Sequence, residues 1–356
     1  MSDTQPLAAN RLPLAAPIAV VLLNWNGVAW LRQFLPGVVA HSAAEATVIV
    51  VDNASTDDSV AVLRAEFPTV EIIEHPENLG FCDGYNRALA QLEGRFGAYL
   101  LLNTDVDVTP GWLTSLAARL WSDAAIAAVQ PKIRAHADRA LFEYAGAAGG
   151  LMDAYGYPFC RGRLFDTLEP DEGQYDDARP VFWATGACML VRAAAWHTLG
   201  GLESRFFAHM EEIDFCWRAH HAGWQVWAEP RSVVFHVGGG TLPKSNPRKT
   251  YLNFRNGLAL LVRNLGPGEL APKLAVRLLL DWVAAARWAV AGEWGEVKAV
   301  FRAHRHVWRD RGHWRASRRE LHPRRRLAEL PGTYAGSVVW AYFGRKVRRA
   351  VEVVGV

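Results

Sequence analysis

Along the first hundred residues, short unbroken apolar runs alternate with longer stretches in which apolar and polar positions recur at helical spacing. Ile18 to Leu23 is a continuous run of Ile, Ala, Val and Leu, followed by Asn24-Trp25-Asn26-Gly27 and a helix-like stretch to Leu35. Thr47 to Val51 reads as a second strand. It ends at Asp52-Asn53-Ala54-Ser55-Thr56-Asp57-Asp58, whose Ser and Asp residues suit the cap of a helix running to Phe67. Val70 to Glu74 reads as a third strand, a turn at Glu77-Asn78-Leu79-Gly80-Phe81 leads into a helix through Leu92, and Ala98 to Leu102 reads as a fourth strand. This alternation predicts right-handed βαβ units and an α/β fold with a mainly parallel sheet. Ligands of such sheets bind beyond the carboxyl ends of the strands, and three of those ends carry Asn or Asp.

After Pro131 the pattern loosens into Gly- and Tyr-rich loops from Gly146 to Gly162 and an acidic loop from Glu169 to Asp177. An ordered block follows from Val181 to Thr241, and beyond Tyr251 the chain reads as helical and rich in Leu, Trp and Arg. The expected organisation is a tail over 1–16, a first half over 17–130, a second over 131–256 and a C-terminal helical region over 257–356. Residues 12 to 31 carry no charge over a membrane-helix length. Pro13, Pro17, Asn24, Asn26 and Gly27 interrupt them, which favours a buried strand. Asp3 and the lack of a basic start argue against a secretory peptide.

With 356 residues, 51% hydrophobic and 21% charged, the chain can bury a large core, which excludes a disordered or fibrous protein. Its net charge of +3 hides an asymmetry: residues 301 to 326 hold ten Arg against Asp310 and Glu320. A basic end on an otherwise acidic chain points to phosphates, in nucleic acid or an anionic lipid surface. Cys82, Cys160, Cys188 and Cys216 are widely spaced without a Cys-x-x-Cys pair, which argues against a disulfide scaffold or structural zinc and fits a reducing cytoplasm.

Asp52, at a strand end, is either a helix cap or, with Ser55, Asp57 and Asp58 supplying the cap, an acceptor for a pyrimidine imide N–H. Asn103, Asp105 and Asp107 alternate along an extended segment and so share a side. Carboxylates converging there repel unless a cation lies between them, and hard oxygen ligands select Mg²⁺ or Mn²⁺; the alternative is a polar turn before Pro110. In Phe206 to Arg218, Glu211 and Glu212 suit a helix start and Asp214 an i,i+4 pair with Arg218. Glu212 projects about 200° around the helix from Asp214, so it can face the crevice and take a proton from a hydroxyl. His236 runs into Gly238, Gly239 and Gly240; it is either structural or a metal or diphosphate contact. Trp183 either stacks on a sugar or is buried by its apolar neighbours, with burial favoured.

Together these blocks resemble the bacterial family 2 glycosyltransferases of the rhamnosyltransferase-like kind. The matching residues are Val50 to Asp57, Asn78-Leu79-Gly80-Phe81 with Gly84 and Asn86, Leu101-Leu102-Asn103-Thr104-Asp105, Gly186-Ala187 with Arg192, Glu211-Glu212-Ile213-Asp214, and His236-Val237-Gly238-Gly239. The resemblance covers roughly residues 17 to 256. It implies a GT-A, Rossmann-like fold: a mixed, mainly parallel sheet flanked by helices, here with a basic helical extension. It also implies a nucleoside-diphosphate sugar donor (a dTDP or UDP sugar), a divalent cation, inversion at the anomeric carbon, and a glycan or polyprenyl-linked acceptor in cell-surface polysaccharide synthesis. In that frame Asp52 reads the base, and Asn24, Asn53, Asp57, Asn78, Gly80, Phe81, Asn86, Asn103 and Thr104 surround the donor. Asp105 and His236 hold the metal, with Asp107 an extra carboxylate outside the frame. Glu212 is the base beside Glu211, where the family usually has Glu-Asp. Trp183, Gly186, Ala187, Asp214 and Arg255 lie toward the acceptor.

From Leu274 to Val300, Trp282, Trp288 and Trp294 recur among Leu and Val, but Arg277, Asp281, Arg287 and Glu293 break the run. That pattern excludes a comfortable spanning helix and suits an interfacial or packed amphipathic one. The following Arg cluster is either a headgroup-binding surface, at about 1 kcal/mol per residue, or a solvated helical face. The resulting expectation is a cytoplasmic protein, peripheral at the inner face of the plasma membrane, with no nucleic-acid partner. The competing readings are a nucleotidyltransferase acting on a sugar phosphate, disfavoured because Asn24-Trp25-Asn26-Gly27 lacks a cation, and a nucleic-acid-binding protein resting on the Arg region alone.

Overall fold

The computed structural model describes residues 16–238 and 246–354; the N-terminal tail and Gly239, Gly240 and Thr241 lie outside them. The βαβ alternation is realised: β1 (Ile18–Asn24), α1 (Val28–Ser42), β2 (Ala46–Asp52), α2 (Ser59–Glu66), β3 (Glu71–Glu74), α3 (Gly80–Gln91) and β4 (Ala98–Leu102) follow one another. Strands β1, β2, β3 and β4 are mutually parallel where they pair, with Asn24 in register with Asp52 and Leu22 with Leu102. They are unbroken apolar runs because the sheet is covered on both faces, by α1 and α4 (Trp112–Ser122) through Leu31, Val38 and Trp112 on one and by α3 through Tyr85 and Leu89 on the other. Helix α1 outruns its expected end at Leu35 and continues through Pro36. Burial of Val38 against the sheet outweighs the one backbone bond that proline removes.

The rest of the main sheet mixes directions. After β5 (Val106–Val108) come β6 (Ile126–Ala135), then, farther on, β11 (Arg179–Pro180), β12 (Cys188–Arg192) and β13 (Gln225–His236). Spatially the order is β11-β13-β6-β12-β4-β1-β2-β3, with β5 beside β13, and β12 runs antiparallel to β4 and β6. The 130/131 boundary cuts β6, so the first and second halves share one sheet. In the stretch from Val181 to Val191, residues 188–191 lie in β12.

The region expected as Gly- and Tyr-rich loops is a second sheet. Strands β7 (Gly150–Asp153), β8 (Pro158–Cys160), β9 (Arg163–Leu164) and β10 (Thr167–Leu168) form a meander, joined on its far edge by β14 (Thr333–Tyr334), parallel to β7. Helices α5 (Ala193–Leu199) and α6 (Glu211–His221) flank the main sheet. The C-terminal region is α7 (Pro247–Asn264), α8 (Leu270–Val290), α9 (Trp294–Arg309), α10 (Arg311–Leu321) and the short α11 (Val351–Val354). It is anchored by buried Trp314, Leu327 and Ala350. All four cysteines are buried and free.

Candidate functional site

The carboxyl ends of β1, β2 and β4 form one rim. Asn24, fully buried, donates to Asp52 Oδ1 at 3.0 Å and to Ser55 Oγ at 3.2 Å, and the Ser55 N–H donates to Asp52 Oδ2 at 2.8 Å. Both Asp52 oxygens therefore build the loop, which corrects the expectation that the side chain stands clear of local bonds; each oxygen still has a second lone pair to offer. The α2 cap is made by Asp57, which accepts from the N–H groups of Val28 and Ser59 and so ties α1 to α2. Asn53, Asn78 and Gly80 bond to one another: Asn53 Nδ2 donates to Asn78 Oδ1 and the Gly80 carbonyl, and Asn78 Oδ1 accepts the Gly80 N–H. Asn86 clamps Leu202 through both its N–H and its carbonyl at 2.8 Å. These amides shape the crevice wall rather than standing free. A side-chain carbon added to Gly27 would lie 2.4 Å from Asn24 Oδ1 and 3.7 Å from Thr104 Oγ1, so this glycine joins the Asp52 end of the rim to the β4 end.

At the β4 end the chain turns at Thr104 and Asp105 before entering β5. The turn breaks the alternation expected of Asn103, Asp105 and Asp107. Asp105 Oδ1 lies 3.1 Å from His236 Nε2, with Asn103 Nδ2 at 3.4 Å, whereas Asp107 turns away to an ion pair with Arg139. His236 reaches Asp105 because β13 pairs with β5, placing Val106 opposite His236. Its Nδ1 lies 3.2 Å from Glu143 Oε2, a buried carboxylate that sequence reasoning missed. Nothing local marks Glu143; a turn brings it back along β6, where its N–H bonds the Ile133 carbonyl. Burial works against both carboxylates and against imidazolium. The mutual hydrogen bonds and charges win, holding Asp105 and Glu143 below the ordinary carboxyl range and raising His236 to about 10.

Asp105 and His236 fit a divalent cation. An oxygen and a nitrogen stand 3.1 Å apart, and with Glu143 on the Nδ1 side at 3.2 Å, Nε2 is the nitrogen that would give up its proton to a cation. Among the described residues no group of three or more His, Cys, Asp or Glu side chains could hold a metal ion. Mg²⁺ and Mn²⁺ complete such shells with water and phosphate oxygens. Asp107 is corrected out of this set.

Gly186 and Ala187 connect this end to the acidic pair. The Ala187 carbonyl accepts the Asn103 N–H at 3.0 Å, and a carbon added to Gly186 would lie 3.2 Å from the Phe81 ring and 3.8 Å from Glu212 Cβ. Glu211 and Glu212 open α6. Burial, then the neighbouring Glu212, raises Glu211 well above the ordinary carboxyl range, and burial brings Glu212 to about 7. Glu212 Oε2 is buried with no partner among the described residues. A carboxyl shifted to about 7 is equipped to accept a hydroxyl proton near neutral pH.

The backbone leading into the pair is strained: Phe207, His209 and Met210 all have positive φ. It is over-determined from α7, where Asn256 Nδ2 donates to the carbonyls of Phe206, Ala208 and His209 and Arg255 to those of Arg205 and Phe206. Arg255 therefore supports this loop. A further acceptor-side expectation, Asp214, is corrected, and the burial favoured for Trp183 is realised. Asp214 is fully buried between Arg218 at 2.8 Å, Arg263 at 3.1 Å and Asn264 at 2.8 Å, locking α6 to α7. Trp183 is core, its Nε1 donating to the Leu151 carbonyl.

Residues 19–157 match the family described as Glycosyl transferase family 2. The chain is 29% identical over 235 residues to the N-acetylglucosaminyl-diphospho-decaprenol L-rhamnosyltransferase of Mycobacterium tuberculosis, covering 62% of this chain and 75% of that one. In fold it is similar to the mannosyltransferase PcManGT from Pyrobaculum calidifontis, solved with GDP-Man and Mn²⁺, at a TM-score of 0.52 and 14% identity over 86% of this chain and 85% of that one. GalNAc-T7, solved with UDP, GalNAc and Mn²⁺, gives a TM-score of 0.55 at 13% identity over 72% of this chain, which spans about half (49%) of that protein.

Proposed function

We propose that this chain, whose residues 19–157 match the family 2 glycosyltransferases and whose fold is similar to two solved glycosyltransferases, transfers rhamnose or a related hexose, with inversion, from a dTDP or UDP donor to a hydroxyl of a lipid-linked acceptor. The chemistry would serve cell-surface polysaccharide synthesis at the cytoplasmic face of the plasma membrane. The sugar and acceptor are suggested by the mycobacterial rhamnosyltransferase to which the chain is similar.

One observation carries the reading: a side-chain carbon added to Gly186 would lie 3.8 Å from Glu212 Cβ, and the next residue, Ala187, accepts the Asn103 N–H at 3.0 Å, which supports a base and a metal pair set side by side. Asp52, Asn24 and Thr104 form its nucleotide end and Phe81 its wall, so the donor side draws on residues 17–130 and the acceptor side on 131–256. When bound, Mg²⁺ or Mn²⁺ would offset the charge that develops on the departing diphosphate. Asp105 and His236 would hold it, and Glu143 fixes the imidazole so that Nε2 faces inward. Glu212 Oε2 accepts the proton from the acceptor hydroxyl as that oxygen attacks the anomeric carbon opposite the diphosphate. Glu211 stands beside it, its carboxyl held well above the ordinary range by burial and by Glu212.

A screen of nucleotide sugars with Mn²⁺ or Mg²⁺ tests this. At least one donor should release nucleoside diphosphate and protect the protein against thermal unfolding. Asp105→Ala should abolish metal-dependent turnover and the metal-dependent part of that protection. Release of pyrophosphate in place of nucleoside diphosphate would favour nucleotidyl transfer, and absence of both products with every donor would reject the proposal.

A further inference from the structure

We infer that the outer faces of α8 and α9 form a docking surface for an anionic lipid bilayer. The inference deepens the reading of a lipid-linked acceptor and rests on it. Nine of the eleven large apolar side chains exposed among the described residues fall between Leu279 and Phe343.

Helix α8 is turned inside out. Its charged pair Arg277 and Asp281 points inward, 2.8 Å apart, and Asp281 also takes His304 of α9 at 3.1 Å. Its outward face, an arc of about 100°, carries Ala275, Leu279, Trp282, Val283, Ala286 and Val290. Val290 is 92% exposed. A helix facing water shows the opposite arrangement. On α9, Trp294, Phe301 and Trp308 recur every seventh residue and are 54–68% exposed. Lys298, Arg302, Arg305 and Arg309 share their arc of about 120°. The single carboxylate of α9, Glu296, is buried.

Aromatic rings interleaved with cations match the headgroup level of an anionic membrane, and the bare apolar stripe of α8 matches the acyl boundary beneath it. A second copy of the chain is a poor occupant, because two α9 faces without carboxylates repel. A nucleic acid satisfies the cations but offers no apolar phase to α8. No described helix is long and apolar enough to cross a membrane, so the contact is peripheral. The surface is also wired to the site. Tyr251 of α7 bonds His306 at 2.6 Å and lies under Arg302 of α9, one turn before the Arg255 and Asn256 that hold the loop ahead of Glu211. Docking therefore brings the base toward the interface at which a lipid-linked acceptor presents its hydroxyl.

Flotation of the full chain with phosphatidylcholine vesicles, with and without phosphatidylglycerol, tests the surface. Binding to the anionic vesicles should exceed binding to the neutral ones by roughly tenfold or more and fall with salt. Trp294→Ser/Phe301→Ser/Trp308→Ser and, separately, Leu279→Ser/Val290→Ser should each weaken it at least roughly tenfold. Lys298→Glu/Arg305→Glu should erase the preference for phosphatidylglycerol. All three variants should melt like the parent and release nucleoside diphosphate normally with a soluble acceptor. Parent-like vesicle binding by the variants, no binding by the parent, or a parent dimer in light scattering that the aromatic triple variant makes monomeric would each overturn the inference. The measurement uses no donor, so absent turnover with intact vesicle binding indicts the transfer reaction, and the reverse result indicts the surface alone.

Discussion

Burial brings the Glu212 carboxyl to about 7, and this single displacement has two consequences of opposite sign. As a base the group works only when ionised, so turnover should climb with pH through about 7 and level off above it. As a folding element it binds its proton more tightly in the native state than in the unfolded chain, where the pKa is about 4.3. Native stability is therefore lost progressively as pH rises from there through about 7. Glu212→Gln should remove both effects, losing at least roughly a hundredfold in turnover with the pH rise flattened. Above pH 7 it should gain roughly 1–2 kcal/mol of stability. Steady-state rates and thermal melts across pH measure the two, and parent-like turnover in this variant would reject Glu212 as the base. The sequence placed Glu212 on a different side of α6 from Asp214, and the structure keeps that division: Asp214 is fully buried in an ion-pair network and Glu212 meets the crevice. What helical spacing did not reveal is that Asp214 has three donors, since Arg263 and Asn264 lie some fifty residues downstream.

Between elements, the α6–α7 contact matters most for the site, because one helix carries the acidic pair and the other holds the strained loop in front of it. Asp214→Ala would leave the Arg218 and Arg263 guanidinium groups, each about 5% exposed, without their shared carboxylate. A cost of about 3–5 kcal/mol is expected, visible as a large drop in melting temperature. Asn256→Ala, which removes one donor from each of three loop carbonyls and leaves Arg255 still on that of Phe206, should cost less stability, about 1–3 kcal/mol, and lower turnover more than it weakens donor binding. A loss confined to donor affinity would show that the loop does not position the base. The βα elements were legible because each apolar strand is contiguous and each helix repeats its own face. The second sheet was not, since its strands are two to four residues long, interrupted by glycine, and completed by a segment about 170 residues away.

For the whole molecule, that returning segment makes the C-terminal region part of the fold. The Val338 N–H bonds Asp153 Oδ2 at 3.0 Å, the Ala350 N–H bonds Glu169 Oε1 at 2.7 Å, and the Met152 N–H bonds the Gly332 carbonyl. Deleting residues 301–356 would therefore strip buried partners from the second sheet, which is why point substitutions probe the membrane face better than truncation. Gly332 has φ near +72°, and a side-chain carbon there would stand 2.2 Å from the Phe182 backbone nitrogen. Gly332→Ala should destabilise by roughly 2 kcal/mol or more and open residues 333–354 to limited proteolysis. The Arg-rich stretch is likewise divided: Arg318 and Arg325 bond backbone carbonyls of neighbouring helices, leaving a smaller cationic face than the count of ten suggests.

The amino-acid order alone determined the parallel core, the polar rim at its carboxyl ends and the order of the motifs along the chain. Local periodicity records which side of a contiguous segment meets apolar neighbours, so elements closed within a few dozen residues leave their mark in it. Only the tertiary structure decided that Asp107 leaves the metal pair, that Glu143 joins His236, that Asn256 props the base loop and that α8 turns its charges inward. Each of those depends on which strand or helix arrives alongside, and contacts between residues 23 to 93 positions apart leave no periodic trace in the chain.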